Sequence, residues 1–147
     1  MIKKVPFQFI YHNDKHFFGK KKIWIDNFNK VYCSDLEKTF IDCLFKPDYA
    51  GGIVEIARAI YISRDKIKFN LLLDYAKKFD SQSVIKRLGF LLESLEINSD
   101  IIDNLQKIKT ASYAVLDTEL PKTGSRVNRW SIQQNLDTAT IRSAIYA

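Results

Sequence analysis

A change of hydrophobic period at Ser34 constrains this chain more than any other feature. Up to Cys33 the apolar residues fall in short runs, VPFQFIY, FF before Gly19, KIWI and KVYC, rich in β-branched and aromatic side chains. Such runs suit a pleated, half-buried surface, and Asn13-Asp14, Gly19-Lys20 and Asp26-Asn27 separate them as turns, so three or four short strands are expected. From Ser34 to Ile108 the apolar residues recur three and four apart, the spacing that lines one face of an α-helix. Beyond Ile108 the β-type pattern returns.

Ser34-Asp35-Leu36-Glu37 at the switch reads as a capping box: the serine oxygen accepts from the Glu37 amide and the Glu37 carboxylate reaches back. A helix is expected from there to Pro47, with Leu36, Phe40, Ile41 and Leu44 on its apolar stripe. Further helices are expected over 52–61, 65–79 and 81–96, with Ser81 as an N-cap candidate, and from Ser99 to Ile108. The tail offers SYAVLD, a turn at Leu120 to Gly124, VNRWSIQQN, and a last helical turn from Asp137 to Ala144. Its two strands are expected to form a hairpin or to join the N-terminal sheet. The order is β-rich over 1–33, helical over 34–109 and β-rich over 110–147, without internal repeats. It predicts one α+β domain: N-terminal antiparallel strands, a central bundle of about five helices, and C-terminal strands returning to the sheet.

Several function classes are excluded on composition. No apolar run approaches the roughly 18 residues of a membrane span, and the N-terminus breaks into polar residues before a signal-peptide core forms. Cys33 and Cys43 stand alone, without CxxC pairs, which excludes a zinc knuckle and makes a reducing, cytoplasmic setting the expectation; Cys43 reads as a buried thiol. No phosphate loop, GxSxG elbow, HExxH or dinucleotide fingerprint occurs, so no enzyme, metal or cofactor is expected. His12 and His16 flank a predicted turn and read as surface residues.

The net charge is +6, and residues 1–30 hold seven lysines against Asp14 and Asp26, which places +5 of it there. Lys122, Arg126 and Arg129 form a second basic group. Lys20, Lys21, Lys22, Arg126 and Arg129 are the candidate contacts to a nucleic-acid backbone or an acidic protein surface; Trp130 reads first as core and second as a stacking ring beside them. The acidic residues Asp35, Glu37, Asp42 and Glu55 are weaker candidates for a metal-dependent nuclease site. Asp35 and Glu37 cannot share a helix face, the cap accounts for Glu37, and the helix dipole favours Asp35 where it stands. Glu55 is expected to pair with Arg58, and Asp42 with Lys38 or Lys46. The Gly51-Gly52 pair reads first as a sharp turn and second as a helix N-terminus open to an anion.

Taken together, Val31-Tyr32-Cys33-Ser34-Asp35-Leu36-Glu37-Lys38-Thr39-Phe40-Ile41-Asp42-Cys43-Leu44, then Pro47-x-x-Ala50-Gly51-Gly52-Ile53-x-Glu55-x-Ala57-Arg58, resembles the AbiEi antitoxin domain. Arg87-Leu88-Gly89-Phe90-Leu91-Leu92-Glu93 is similar to the family's later RLGxLLE helix, and Arg129-Trp130-Ser131-Ile132 with Asn135 to its closing strand. Lys38 departs from the commoner arginine, a small change on what reads as a solvated face. The resemblance implies a cytoplasmic antitoxin of an abortive-infection toxin–antitoxin system. Its partner would be a nucleotidyltransferase-like toxin, counteracted often without a stable complex, with transcriptional regulation through nucleic-acid binding as a further role. Family members usually carry a winged helix-turn-helix ahead of this domain, and nothing before Val31 has that pattern. Two rivals stay open: a metal-dependent nucleic-acid-processing enzyme built on Glu37, Asp42 and Glu55, and a regulatory domain truncated from a winged-helix transcription factor.

Overall fold

The structure, a computed structural model, describes residues 3–146. It is an α+β fold with six α-helices and two small sheets among those residues. Strands β1 (Lys20–Trp24) and β2 (Lys30–Ser34) form an antiparallel hairpin. Helices α1 (Leu36–Phe45), α2 (Gly52–Ser63), α3 (Phe69–Phe79), α4 (Gln82–Ser94) and α5 (Ile101–Ile108) follow. The tail contributes β3 (Ala114–Val115), β4 (Ser125–Val127), β5 (Ile132–Gln134) and α6 (Thr138–Ser143).

Helix α4 is the axis. It packs on α1, α3, α5, α6, β3 and β5, and its residues are buried on every side, the signature of a helix inside a core rather than on its surface. Leu88, Leu91 and Leu92 are fully enclosed, and each such side chain contributes about 1.5–3 kcal/mol relative to exposure. Two charged residues, Lys86 and Arg87, are enclosed with them. The Lys86 ammonium donates to the Thr110 and Ser112 hydroxyls at 3.0 and 3.1 Å and to the Ser112 carbonyl, fastening the segment that leaves α5. Desolvation holds its pKa below the ordinary lysine value, with Lys109 nearby adding to the effect.

The tail strands do not extend the N-terminal pair. They form their own sheet in the order β3-β5-β4, with β3 and β5 parallel and β4 and β5 an antiparallel hairpin. The expected run VNRWSIQQN is split between β4 and β5 by the turn 128–131, where Ser131 takes a positive φ of 51° and its amide donates to the Asn128 carbonyl. That turn drops Trp130 onto α4.

Several local expectations are corrected. Residues 6–13 form no strand, so the N-terminal sheet has two strands. Asp35, not Ser34, caps α1: its carboxylate accepts from the Lys38 amide at 2.8 Å, because Ser34 is still paired with Lys20 at the end of β2. The Ser34 hydroxyl meets that of Thr39 at 2.8 Å, and Glu37 reaches forward to the Lys68 amide, also at 2.8 Å, just ahead of α3. Helix α3 starts at Phe69, after a turn at 64–66, later than its periodicity implied. Lys38 is 3% exposed, not solvated; its ammonium meets Asp42 at 2.7 Å and lies over the rings of Phe18 and Phe79.

His16 is the largest surprise of the N-terminal segment. A 3-10 turn over Asp14–His16 carries its ring inward, flat on Phe79 with centroids 3.6 Å apart. Its Nε2 lies 3.2 Å from the Phe79 carbonyl, which only accepts, so Nε2 carries the proton and Nδ1 is left without a partner. Burial lowers its pKa below 6.5, with His12, Lys15 and Lys38 pushing the same way against the Phe79 hydrogen bond. The unfolded chain therefore binds this proton more readily than the folded one, and stability is lost as pH falls through 6.5. Thermal unfolding measured between about pH 8 and pH 5 is expected to show a Tm that falls on acidification, with the slope over this window reduced in His16→Gln.

Candidate interaction surface

The residues behind the family resemblance are spent largely on holding the fold together. Arg87, 4% exposed, runs between α1 and β3. Its Nε and one terminal nitrogen donate to the Val115 carbonyl at 3.0 and 2.8 Å, and the other terminal nitrogen donates to the Leu44 carbonyl at 2.8 Å and the Phe45 carbonyl at 3.4 Å. The guanidinium thus closes the C-terminal end of α1, where carbonyls lack intrahelical donors. Desolvation pulls its pKa down to about 10, opposed by Asp117 and Asp48, so it stays charged at neutral pH.

Gly89 and Glu93 lie one turn apart on α4 under Trp130, which is 1% exposed and core as first read. Glu93 accepts from the Trp130 indole at 2.7 Å and holds Arg129 through two donors, which keeps its carboxyl below the usual glutamate range. Asn135 bonds both ways along the chain: its side-chain oxygen accepts from the Asp117 amide at 2.9 Å, and its nitrogen donates to the Asp117 and Pro121 carbonyls at 2.7 and 3.1 Å.

Asn135 thereby sets Asp117, a residue the sequence did not single out. Asp117 is 4% exposed and accepts from the Ile53 amide at 3.1 Å, in the first turn of α2. Gly51 and Gly52 take φ of 79° and 85°, and a Cβ on Gly52 would lie 2.7 Å from the Glu119 carboxylate. The chain's own carboxylate therefore fills the anion-receptive helix start, and the pair serves as a turn. Nothing local in the sequence marks this contact, since 64 residues separate donor and acceptor.

The acidic set does not converge. Asp35 is engaged by Lys38 and by the Tyr75 hydroxyl at 2.6 Å, a bond that raises the tyrosine pKa to about 12. Glu37 is held at Lys68, while Glu55 is exposed and Arg58 half-buried on α2. Asp42 accepts from Lys38 at 2.7 Å and contacts His12 at 3.0 Å, and an ammonium so close disfavours a divalent cation there. Among the described residues no group of three His, Cys, Asp or Glu side chains is placed to hold a metal. Two clefts flank Asp42: one of about 250 Å³, mostly apolar, beside Cys43 and Tyr49, and one of about 340 Å³ beside His16 and Tyr32. Burial pushes the Cys43 thiol up, aided by Asp42, which keeps it protonated and unreactive.

The basic candidates separate. Arg129 is committed to Glu93, although half of it is exposed, and Arg126 lies over the Tyr113 ring at 5.0 Å on the tail sheet. Lys20, Lys21 and Lys22 are on β1, a strand exposed along its whole length. Side chains alternate across a strand and cross-strand partners share a face, so Lys20, Lys22 and Trp24 stand with Lys30, Tyr32 and Ser34, while Lys21 falls on the other face with Ile23, Val31 and Cys33. The contacts agree: Lys20 and Lys22 each lie 5.1 Å from the Tyr32 ring centre, and Lys30 lies 4.4 Å from that of Trp24. Trp24 and Tyr32 are 61% and 62% exposed.

The chain matches no protein-family model, no curated protein and no solved structure. Function therefore rests on its own residues. Among the described residues no helix is long and apolar enough to cross a membrane, and the exposed aromatic surface is concentrated on the hairpin and the segment before it, where Phe9, Tyr11 and Phe28 are 97%, 85% and 88% exposed. The run Lys20, Lys21 and Lys22 was legible in the sequence, as three equal candidates. Their union with Trp24, Lys30 and Tyr32 depends on hairpin register, which the sequence leaves open.

Proposed function

We propose that this chain is a binding domain of the AbiEi antitoxin kind, which counteracts a nucleotidyltransferase-like toxin by binding rather than by catalysis, with the β1-β2 hairpin as its binding surface. The observation that carries the reading is a division of labour. Arg87, Gly89, Glu93, Trp130, Asn135, Asp35 and Glu37, seven residues of the AbiEi-like motifs, interlock helices and tail strands, while the lysines and rings of the hairpin, Tyr32 of the first motif among them, are left at the surface. A motif set that builds one scaffold is the pattern expected of a family held together by a shared fold. The metal-dependent alternative lacks support, because Asp42 is matched to Lys38 and stands apart from Glu37 and Glu55.

The test is co-expression with the nucleotidyltransferase-like gene that this reading expects beside it, scored as growth in a host that lacks both. Growth restored in proportion to the amount of this protein supports the reading. Continued toxicity in the presence of abundant folded protein defeats it.

A further inference from the structure

We infer that the lysine-bearing face of the β1-β2 hairpin is a stacking platform for single-stranded nucleic acid. The inference deepens the reading above by naming a ligand class for the same surface, and it rests on that reading only for its biological setting. One face presents Lys20, Lys22 and Lys30 around the rings of Trp24 and Tyr32, in a register fixed by five cross-strand pairs. The one carboxylate between Gly19 and Ser34 is Asp26. It sits in the turn, where its oxygen accepts from the Phe28 and Asn29 amides at 2.7 and 2.8 Å and its charge is turned back on the loop. The face therefore offers three cations and two rings open to solvent with no carboxylate of its own, and Asp42, across the cleft beside Lys20 and Tyr32, is matched to Lys38 at 2.7 Å.

That combination has a specific complement. An acidic protein surface would satisfy the lysines but leave two exposed rings unexplained, whereas a single strand supplies phosphates and unpaired bases at once. A duplex hides its base faces and would use the cations alone. Each base stacked on an aromatic ring strengthens binding by about 5- to 150-fold, and recognition by stacking is tolerant of sequence because every base has such a face. Three phosphate contacts predict a log–log salt slope near about −2 for a single strand.

Titration of the intact chain with oligouridylate and oligothymidylate of about 12 nucleotides, a matched duplex and heparin tests this. The readouts are fluorescence anisotropy and quenching of the exposed Trp24, against a constant background from buried Trp130. The expected result is binding of the single strands with quenching of Trp24, weaker binding of the duplex, and comparison of the two strands to show whether RNA or DNA is preferred. Trp24→Ala with Tyr32→Ala is expected to lose at least about 25-fold in affinity at an unchanged salt slope, and Lys20→Glu with Lys22→Glu and Lys30→Glu to flatten the slope. Trp24→Phe, which keeps a ring and the strand, is expected to retain most of the affinity. Absence of strand binding at low salt, a duplex or heparin bound as tightly, or affinity that survives removal of both rings would overturn the proposal. Failure of growth rescue by a protein that still binds single strands would defeat the antitoxin reading alone.

Discussion

Gly89→Ala is expected to destabilise this protein by about 3 kcal/mol or more, although the change adds a single methyl group to a helix. On an exposed helix the same substitution stabilises by up to about 1 kcal/mol, since alanine is the better helix former. Here the methyl would enter the space of the Trp130 ring. The ring cannot tip away, because it is enclosed, its indole nitrogen is tied to Glu93, and Arg129 holds the same carboxylate. With a total stability of about 5–15 kcal/mol in a domain of this kind, the loss corresponds to a fall in Tm of about 6–12 °C. Thermal and urea unfolding of Gly89→Ala, Trp130→Leu and the double variant form a cycle that isolates the cause. The clash account predicts that Gly89→Ala becomes nearly neutral once the indole is gone. An equal cost in both backgrounds would place the effect elsewhere on α4.

Arg87→Met is expected to cost about 3–5 kcal/mol, the second large effect. Its flexible apolar side chain fills much of the same volume, so the loss reports on polar groups rather than on a void. Without the guanidinium the Leu44 and Val115 carbonyls lose their donors inside the protein, where an unsatisfied polar group costs about 1–3 kcal/mol each. Arg87→Lys is expected to recover less than half of the loss: an ammonium is a point donor and cannot span the end of α1 and β3 as the planar fork does. Denaturant melts of the three proteins give the comparison. A Lys variant equal to the wild type would show that charge alone, not the bidentate reach, holds these elements.

What was legible in the sequence follows the range of the interactions involved. Periodicity located α1, α2, α4 and α5 closely, because the stripe Ile53, Ile56, Ala57 and Ile60 is a local record of burial. The Lys38–Asp42 pair was likewise readable from spacing, although the burial of Lys38 was not. Where the outcome was set by partners far along the chain, local pattern gave no warning. His16 read as a surface residue, yet it lies buried on Phe79, and the turn at Gly51-Gly52 was legible while the Asp117 carboxylate that meets the start of α2 from the tail was not. Arg129 looked like a free cation because its partner lies 36 residues earlier. The run VPFQFIY at 5–11 promised a strand, but a strand requires a neighbour, and β1 pairs with β2. The hairpin face shows the same limit: Lys20, Lys21 and Lys22 were legible as three equal candidates, and the pairing register sets Lys21 apart and brings Lys30, Trp24 and Tyr32 to the side of Lys20 and Lys22.

The central claim is that the scaffold and the contact surface are separate, and growth rescue by a hairpin variant tests it most directly. Lys20→Glu, Lys22→Glu and Lys30→Glu together change exposed side chains on a strand pair that meets the helical core chiefly at the junction of β2 with α1. Co-expressed with a nucleotidyltransferase-like toxin of the kind proposed, and with its Tm checked against the wild type, the triple variant is predicted to fold normally and to fail to restore growth. Full rescue by that folded variant, at equal abundance, would contradict the account and move the site of action off the hairpin.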